Sequence, residues 1–186
     1  MKKAAFLDRD GVINIDHAYV HEIEAFEWVP GVLEAAKSLI DAGYLLVVVT
    51  NQSGIGRGYY DEATFEKLTA WMKDQFSQAG APLSGVYFCP HHPEKALPQY
   101  RMTCTCRKPG PGMLLKAATD LDIDLKASIM FGDKPGDMTA GKTAGCCERI
   151  FLGTDGKAVP PLCEDATQAF RSLADAIQSD WFKQIH

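Results

Sequence analysis

Two carboxylates, Asp8 and Asp10, stand in the run Phe6-Leu7-Asp8-Arg9-Asp10-Gly11-Val12, directly after a short apolar stretch. Residues i and i+2 of a strand share one face, so both side chains can enter one cleft where the strand ends. Gly11 then permits a sharp turn. One carboxylate so placed can attack phosphorus while its neighbour handles a proton. Asp133, in Gly132-Asp133-Lys134-Pro135-Gly136-Asp137, adds another hard oxygen ligand, and Asp8, Asp10 and Asp133 together suit Mg²⁺. Thr50, Asn51 and Lys108 are donors suited to a phosphoryl group. Phosphoryl transfer asks mainly for positioning and charge neutralisation, and this set offers both.

A second cluster has different chemistry. Cys89-Pro90-His91-His92-Pro93 is followed by Cys104-Thr105-Cys106. Two soft ligands from each half make a tetrahedral Cys₃His site, with Cys89, His91, Cys104 and Cys106 as Zn²⁺ ligands. His92 is the alternative to His91, and Fe²⁺ the alternative to Zn²⁺. Four protein ligands leave no open position, so the predicted role is structural. Such a knuckle would pin an irregular loop over about 89–109, which delivers Arg107 and Lys108. The other three cysteines, Cys146, Cys147 and Cys163, show no partner pattern and read as ordinary thiols.

The elements that must position these groups alternate between strand and helix. Short apolar runs predict strands at Ala4–Leu7, Tyr44–Val49, Gly85–Phe88 and Ser128–Phe131, with the last core strand at Arg149–Leu152. Helical spacing predicts helices over Gly31–Ala42, Asp61–Gln78, Pro111–Leu121 and Asp137–Ala144, and a closing helix over Ala166–Ile177. Thr50 to Gly54 reads as a polar loop. The implied fold is α/β: a Rossmann-like parallel sheet with helices on both faces, forming a single domain over 1–186. Sheets of this kind bind ligands at the carboxyl ends of their strands. Asp8, Thr50 and Asp133 all fall there.

The order Asp-x-Asp-Gly, Val-Thr-Asn-Gln, Arg-Lys-Pro, Gly-Asp-x-x-x-Asp resembles the haloacid dehalogenase superfamily of phosphatases, from about Ala4 to Leu152. The resemblance implies that Asp8 is the nucleophile that forms an aspartyl-phosphate. Asp10 would protonate the leaving oxygen and then activate water. Thr50 and Lys108 would hold the phosphoryl group. Mg²⁺ would sit on Asp8, Asp133 and the Asp10 carbonyl, with Asp137 and Lys134 in support. The zinc knuckle beside Arg-Lys-Pro narrows the resemblance to two branches, acting on a heptose bisphosphate or on histidinol phosphate. The segments Asn14–His21, Asn51–Gly58 and Cys89–Pro93 are similar to the first branch. That resemblance implies a small sugar-bisphosphate substrate, a role in heptose supply for lipopolysaccharide or related glycans, and loops in place of a cap domain. Asp16, His17 and Tyr19 are then candidates for the sugar hydroxyls, and Asn51, Gln52 and Ser53 are further substrate-binding candidates. Arg107 and Arg57 are candidates for a second phosphate, which forked guanidinium bonds suit; plain surface arginine stays an equal reading for Arg57.

Bulk properties agree. The net charge of −5 and hydrophobic content of 46% suit one globular domain and offer no basic surface for nucleic acid or anionic membrane. The sequence shows no signal-peptide pattern and no apolar run long enough for a bilayer. A cytoplasmic monomer is the expectation.

Overall fold

Every residue of the first strand, β1 (Ala4–Leu7), is buried, which requires cover on both faces of the sheet. In the computed structural model, which describes residues 1–186, that cover is provided by helices. The remaining strands are β2 (Leu45–Asn51), β3 (Leu83–Cys89), β4 (Ile129–Gly132), β5 (Glu148–Leu152) and β6 (Gln168–Phe170). All pairings are parallel, in the order β3-β2-β1-β4-β5-β6.

The two-residue period of the strands splits the core in two. Ala5, Leu7, Leu46, Val48, Ile129 and Phe131 point to one face. There they meet α1 (Val32–Asp41), α3 (Glu62–Gln78) and α6 (Leu173–Gln178) through Leu39, Met72, Phe76 and Ile177. Ala4, Phe6, Val47, Val49 and Met130 point to the other face. Met113 and Leu114 of α4 (Gly112–Leu121) and Met138 of α5 (Pro135–Ala144) cover them. Asp61 caps α3 by accepting from the Thr64 amide at 2.8 Å.

Three expectations are corrected. Thr50 and Asn51 belong to β2, and the segment after them forms a one-turn helix, α2 (Ser53–Gly56). Arg149–Leu152 is not the last strand, and Ala166–Ile177 is not one helix. Gln168–Phe170 pairs with Ile150–Leu152 as β6. Ser172 then caps α6 by accepting from the Asp175 amide at 3.2 Å. Ser179 ends that helix and caps α7 (Asp180–Gln184). No helix is long and apolar enough to cross a membrane.

Candidate active site

In this strand order the crevice opens where connections leave β1 and β4 in opposite directions. Asp8 follows β1 and Asp133 follows β4, so their carboxylates meet there. With the Asp137 carboxylate they lie within 4.8 Å of one another. Gly11, at φ +90°, is what allows the approach: a Cβ on it would lie 2.2 Å from Asp133 Oδ2. A cavity of about 310 Å³ opens above, walled by Asp8, Asp10, Asp16, Asn51, Lys108 and Lys134, among others.

Lys108 is the buried counter-charge. Its Nζ donates to Asp8 Oδ1 at 2.9 Å and to the Val49 carbonyl at 2.8 Å, and pairs with Asp137 Oδ1 at 2.7 Å. Burial opposes its charge, but Asp137 and Asp8 outweigh that and hold its pKa above the ordinary lysine value. Burial, reinforced by Asp137, pushes Asp8 well above the usual carboxylate range, against the pull of Lys108. Burial raises Asp133 as well, against Lys134 and the Thr154 hydroxyl. Two cations, Lys108 and Lys134, for three acidic groups leave an excess of negative charge in the crevice. Asp133 Oδ1 is also buried with no hydrogen-bond partner, a costly state unless something else binds it. These residues therefore fit a divalent cation with oxygen ligands. Asp137 is engaged by Lys108 and by the Lys134 amide (3.0 Å).

Asp10 is held from three sides. Its Oδ1 accepts from Arg9 Nη2 at 2.9 Å and Asn14 Nδ2 at 3.0 Å, and its Oδ2 from Gln52 Nε2 at 3.1 Å. Thr50 Oγ1 accepts from the same Gln52 nitrogen at 2.8 Å. Asn51 clamps the backbone of Lys108 in both directions: Nδ2 donates to its carbonyl at 3.1 Å and Oδ1 accepts from its amide at 3.0 Å. Asn51 and Gln52 thus wall the cavity; the Gln52 amide is fully engaged by protein, while Asn51 keeps one N–H without a protein partner.

The cysteine cluster assembles beside the site. Cys106 Sγ lies 3.0 Å from Cys89 Sγ, 3.3 Å from Cys104 Sγ and 3.3 Å from His91 Nδ1. Zn–S bonds of about 2.3 Å would set tetrahedral ligand atoms about 3.8 Å apart, so these four atoms fit closely around one soft cation. Burial works against ionisation at Cys104, yet the Arg107 amide and the neighbouring cluster groups bring its pKa down to about 7. His92 turns away, its Nδ1 accepting from the Glu94 and Lys95 amides. That decides between the two histidines in favour of His91.

Residues 105–176 match the model of the HAD-hydrolase-like family. The chain is 50% identical over 173 residues to D-glycero-beta-D-manno-heptose-1,7-bisphosphate 7-phosphatase of Salmonella typhi, covering 92% of each. It is 49% identical over 177 residues to the enzyme of that name from Escherichia coli K12, covering 95% of this chain and 92% of the relative. It belongs to the haloacid dehalogenase-like phosphatases, in the heptose-1,7-bisphosphate 7-phosphatase family. Among solved structures, D,D-heptose 1,7-bisphosphate phosphatase from B. bronchiseptica, complexed with magnesium and phosphate, superposes with a TM-score of 0.81. That similarity comes at 32% identity and covers 98% of this chain and 99% of the other. A putative HAD-like phosphatase from Mesorhizobium loti superposes with a TM-score of 0.80 at 34% identity, covering 94% and 81%.

Within this phosphatase the other expected residues divide. Asp16, Tyr19, Ser53 and Lys134 reach the cavity wall. Lys134 Nζ stands 3.8 Å from Asp16 Oδ2 and 3.4 Å from Asp133 Oδ2. His17 does not reach it: exposed, it pairs with Glu27 at 2.7 Å. Arg57 and Arg107 do not line it either. Arg57 lies over the Tyr19 ring at 5.8 Å, and Arg107 donates to the His91 carbonyl at 3.4 Å. Four residues of the site escape sequence reasoning: Arg9, Asn14, Tyr60 and Thr154. Arg9 lies between two aspartates in the chain, a usable signal. Its side chain is 1% exposed and also holds the Val20 carbonyl at 2.6 Å. Asn14 and Tyr60 lie four and eight residues from their partners Asp10 and Gln52 without a local signature, and Thr154 reaches Asp133 from 21 residues away.

Proposed function

We propose that this phosphatase removes the 7-phosphate of D-glycero-β-D-manno-heptose 1,7-bisphosphate, a free small-molecule substrate, in heptose supply for bacterial glycans. The observation that carries the reading is the buried Asp8–Lys108 pair beside the unpartnered Asp133 oxygen. Half-identity over nearly the whole length of relatives bearing that name supports the choice of sugar. A carboxylate of Asp8 attacks the 7-phosphorus and the bond from phosphorus to the sugar oxygen breaks. That oxygen leaves with a proton from Asp10. Asp10 then takes a proton from water, whose oxygen attacks the aspartyl-phosphate, freeing phosphate and the Asp8 carboxylate. Lys108 and Thr50 hold the phosphoryl oxygens throughout. Asp8, Asp133 and the Asp10 main chain would hold Mg²⁺, which would supply charge neutralisation at the phosphoryl group. Cys89, His91, Cys104 and Cys106 would hold Zn²⁺ in a structural role, since four protein ligands would leave it no open position.

The test is phosphate release, with Mg²⁺, from both anomers of heptose 1,7-bisphosphate and from histidinol phosphate, with Asp8→Asn as control. Preference for the β-bisphosphate, abolished in the control, is the expected result. Preference for histidinol phosphate would overturn the substrate and leave the chemistry standing. Release that survives Asp8→Asn would overturn the nucleophile.

A further inference from the structure

Gln52 is 3% exposed, and its amide is used completely. Its Nε2 donates to Thr50 Oγ1 at 2.8 Å and to Asp10 Oδ2 at 3.1 Å. Its Oε1 accepts from the Tyr60 hydroxyl. A primary amide has only two N–H donors, so none remains for a substrate. The two groups that one nitrogen joins are those the reaction needs at a fixed separation: a hydroxyl on the phosphoryl group and an acid on the leaving oxygen. Thr50 Oγ1 accepts from Gln52, and its own hydrogen has only a long bond, 3.5 Å, to the Asn51 carbonyl, which a phosphoryl oxygen can replace; chained hydrogen bonds of this kind reinforce one another.

Orientation of the amide is enforced from behind. Reversed, Gln52 would set its carbonyl oxygen against the Asp10 carboxylate, while the Tyr60 hydroxyl would face an N–H. Tyr60 is itself fixed. Its ring stacks on His21 at 4.7 Å and 9° and packs with Ile55 and Phe65. Gly54 makes room for it, since a Cβ there would lie 2.3 Å from the ring.

We propose that Gln52 and Tyr60 are a positioning pair that sets Asp10 for its two proton transfers and Thr50 for the phosphoryl oxygen, and that Gln52 is not a substrate ligand. The proposal rests on the roles given above to Asp8 and Asp10. Its test compares Gln52→Met and Tyr60→Phe with wild type on two substrates, the heptose bisphosphate and 4-nitrophenyl phosphate. The sugar oxygen needs a proton to leave, whereas nitrophenolate leaves without one. Hydrolysis of the aspartyl-phosphate needs Asp10 in both cases.

Misplaced acid–base groups lose about 10- to 100-fold, so Gln52→Met is expected to lower kcat on the sugar by that factor with KM changed less than about twofold. Tyr60→Phe shifts the same way by less. On nitrophenyl phosphate, acid quenching is expected to trap a larger phosphoenzyme fraction in the variants than in wild type. A purely structural role predicts no such build-up. Equal losses on both substrates with no phosphoenzyme gain would overturn the pair. A rise in KM at unchanged kcat would return Gln52 to the substrate ligands. Should Tyr60→Phe melt well below wild type, Gln52→Met carries the comparison alone. No phosphoenzyme in wild type would overturn the Asp8 reading and the pair together. Phosphoenzyme in wild type, unchanged in the variants, would overturn the pair only.

Discussion

Asp133 presents one oxygen to Thr154 and leaves the other bare. The Thr154 hydroxyl donates to Oδ2 at 2.8 Å, which fixes the plane of the carboxylate and aims Oδ1 into the crevice. Such a partner matters because a metal-binding carboxylate that swivels must be ordered anew at each binding event. Loss of an outer partner typically weakens metal binding about 10- to 100-fold, and Thr154→Val is expected to fall at the lower end. Calorimetric titration with Mg²⁺ alone reads this directly, and an unchanged affinity would show that Lys134 suffices to hold Asp133. Asp133 itself was legible in the sequence, as were Asp8, Asp10, Thr50 and Lys108. Each follows or ends an apolar strand, or carries its chemistry in a short motif. Thr154 was not legible, since its partner is 21 residues away and only the adjacency of β4 and β5 brings them together. Asn51 and Gln52 were read from type and place as substrate contacts. Their partners within the protein, the Lys108 backbone for Asn51 and Asp10 and Thr50 for Gln52, are not marked by residue type or place.

The cysteine knuckle acts through the segment it ties down. Lys108 follows Cys106 by two residues, and its backbone is clamped by Asn51 of β2. The loop is therefore held at two places, and the lysine sits between α4 and the cysteine cluster. Structural zinc contributes folding free energy directly, so its removal should free the loop before the sheet. A chelator, or Cys104→Ser, is expected to release one metal per chain, lower turnover more than about tenfold by misplacing Lys108, and expose the 92–103 loop to proteolysis. Cys163→Ser, away from the cluster, should do none of these. Full activity after complete metal release would assign the positioning to Asn51 alone. This knuckle was readable because Cys-x-His and Cys-x-Cys are local patterns with a known coordination number. The C-terminal elements were misread for the opposite reason. Gln168–Phe170 is too short to show a strand period, and only pairing with β5 makes it one. Ser172 and Ser179 then cap two short helices where apolar spacing suggested one long helix.

At the scale of the molecule, the two cores share one sheet, and the active site lies on the edge that joins them. Side chains of β1 contribute to both cores, through Ala5 and Leu7 on one face and Ala4 and Phe6 on the other. Neither face can come away without exposing the other, which argues for one cooperative unit over 1–186. Denaturant unfolding of the metal-loaded protein is expected to show a single transition, coincident for backbone and tryptophan signals. The crevice sits at the centre of this unit and carries more acid than base, so a ligand that neutralises it should stabilise the whole. A ligand at a hundred times its Kd adds about 2.7 kcal/mol. For a chain of this size each kcal/mol is worth about 2–4 °C, so saturating Mg²⁺ should raise Tm by about 5–10 °C. Asp133→Asn removes one of the two carboxylates left to the cation and should largely abolish that rise, even though it relieves repulsion in the metal-free protein. Two separate transitions, with only one moved by Mg²⁺, would mean that the two faces of the sheet unfold independently and that the site belongs to one of them.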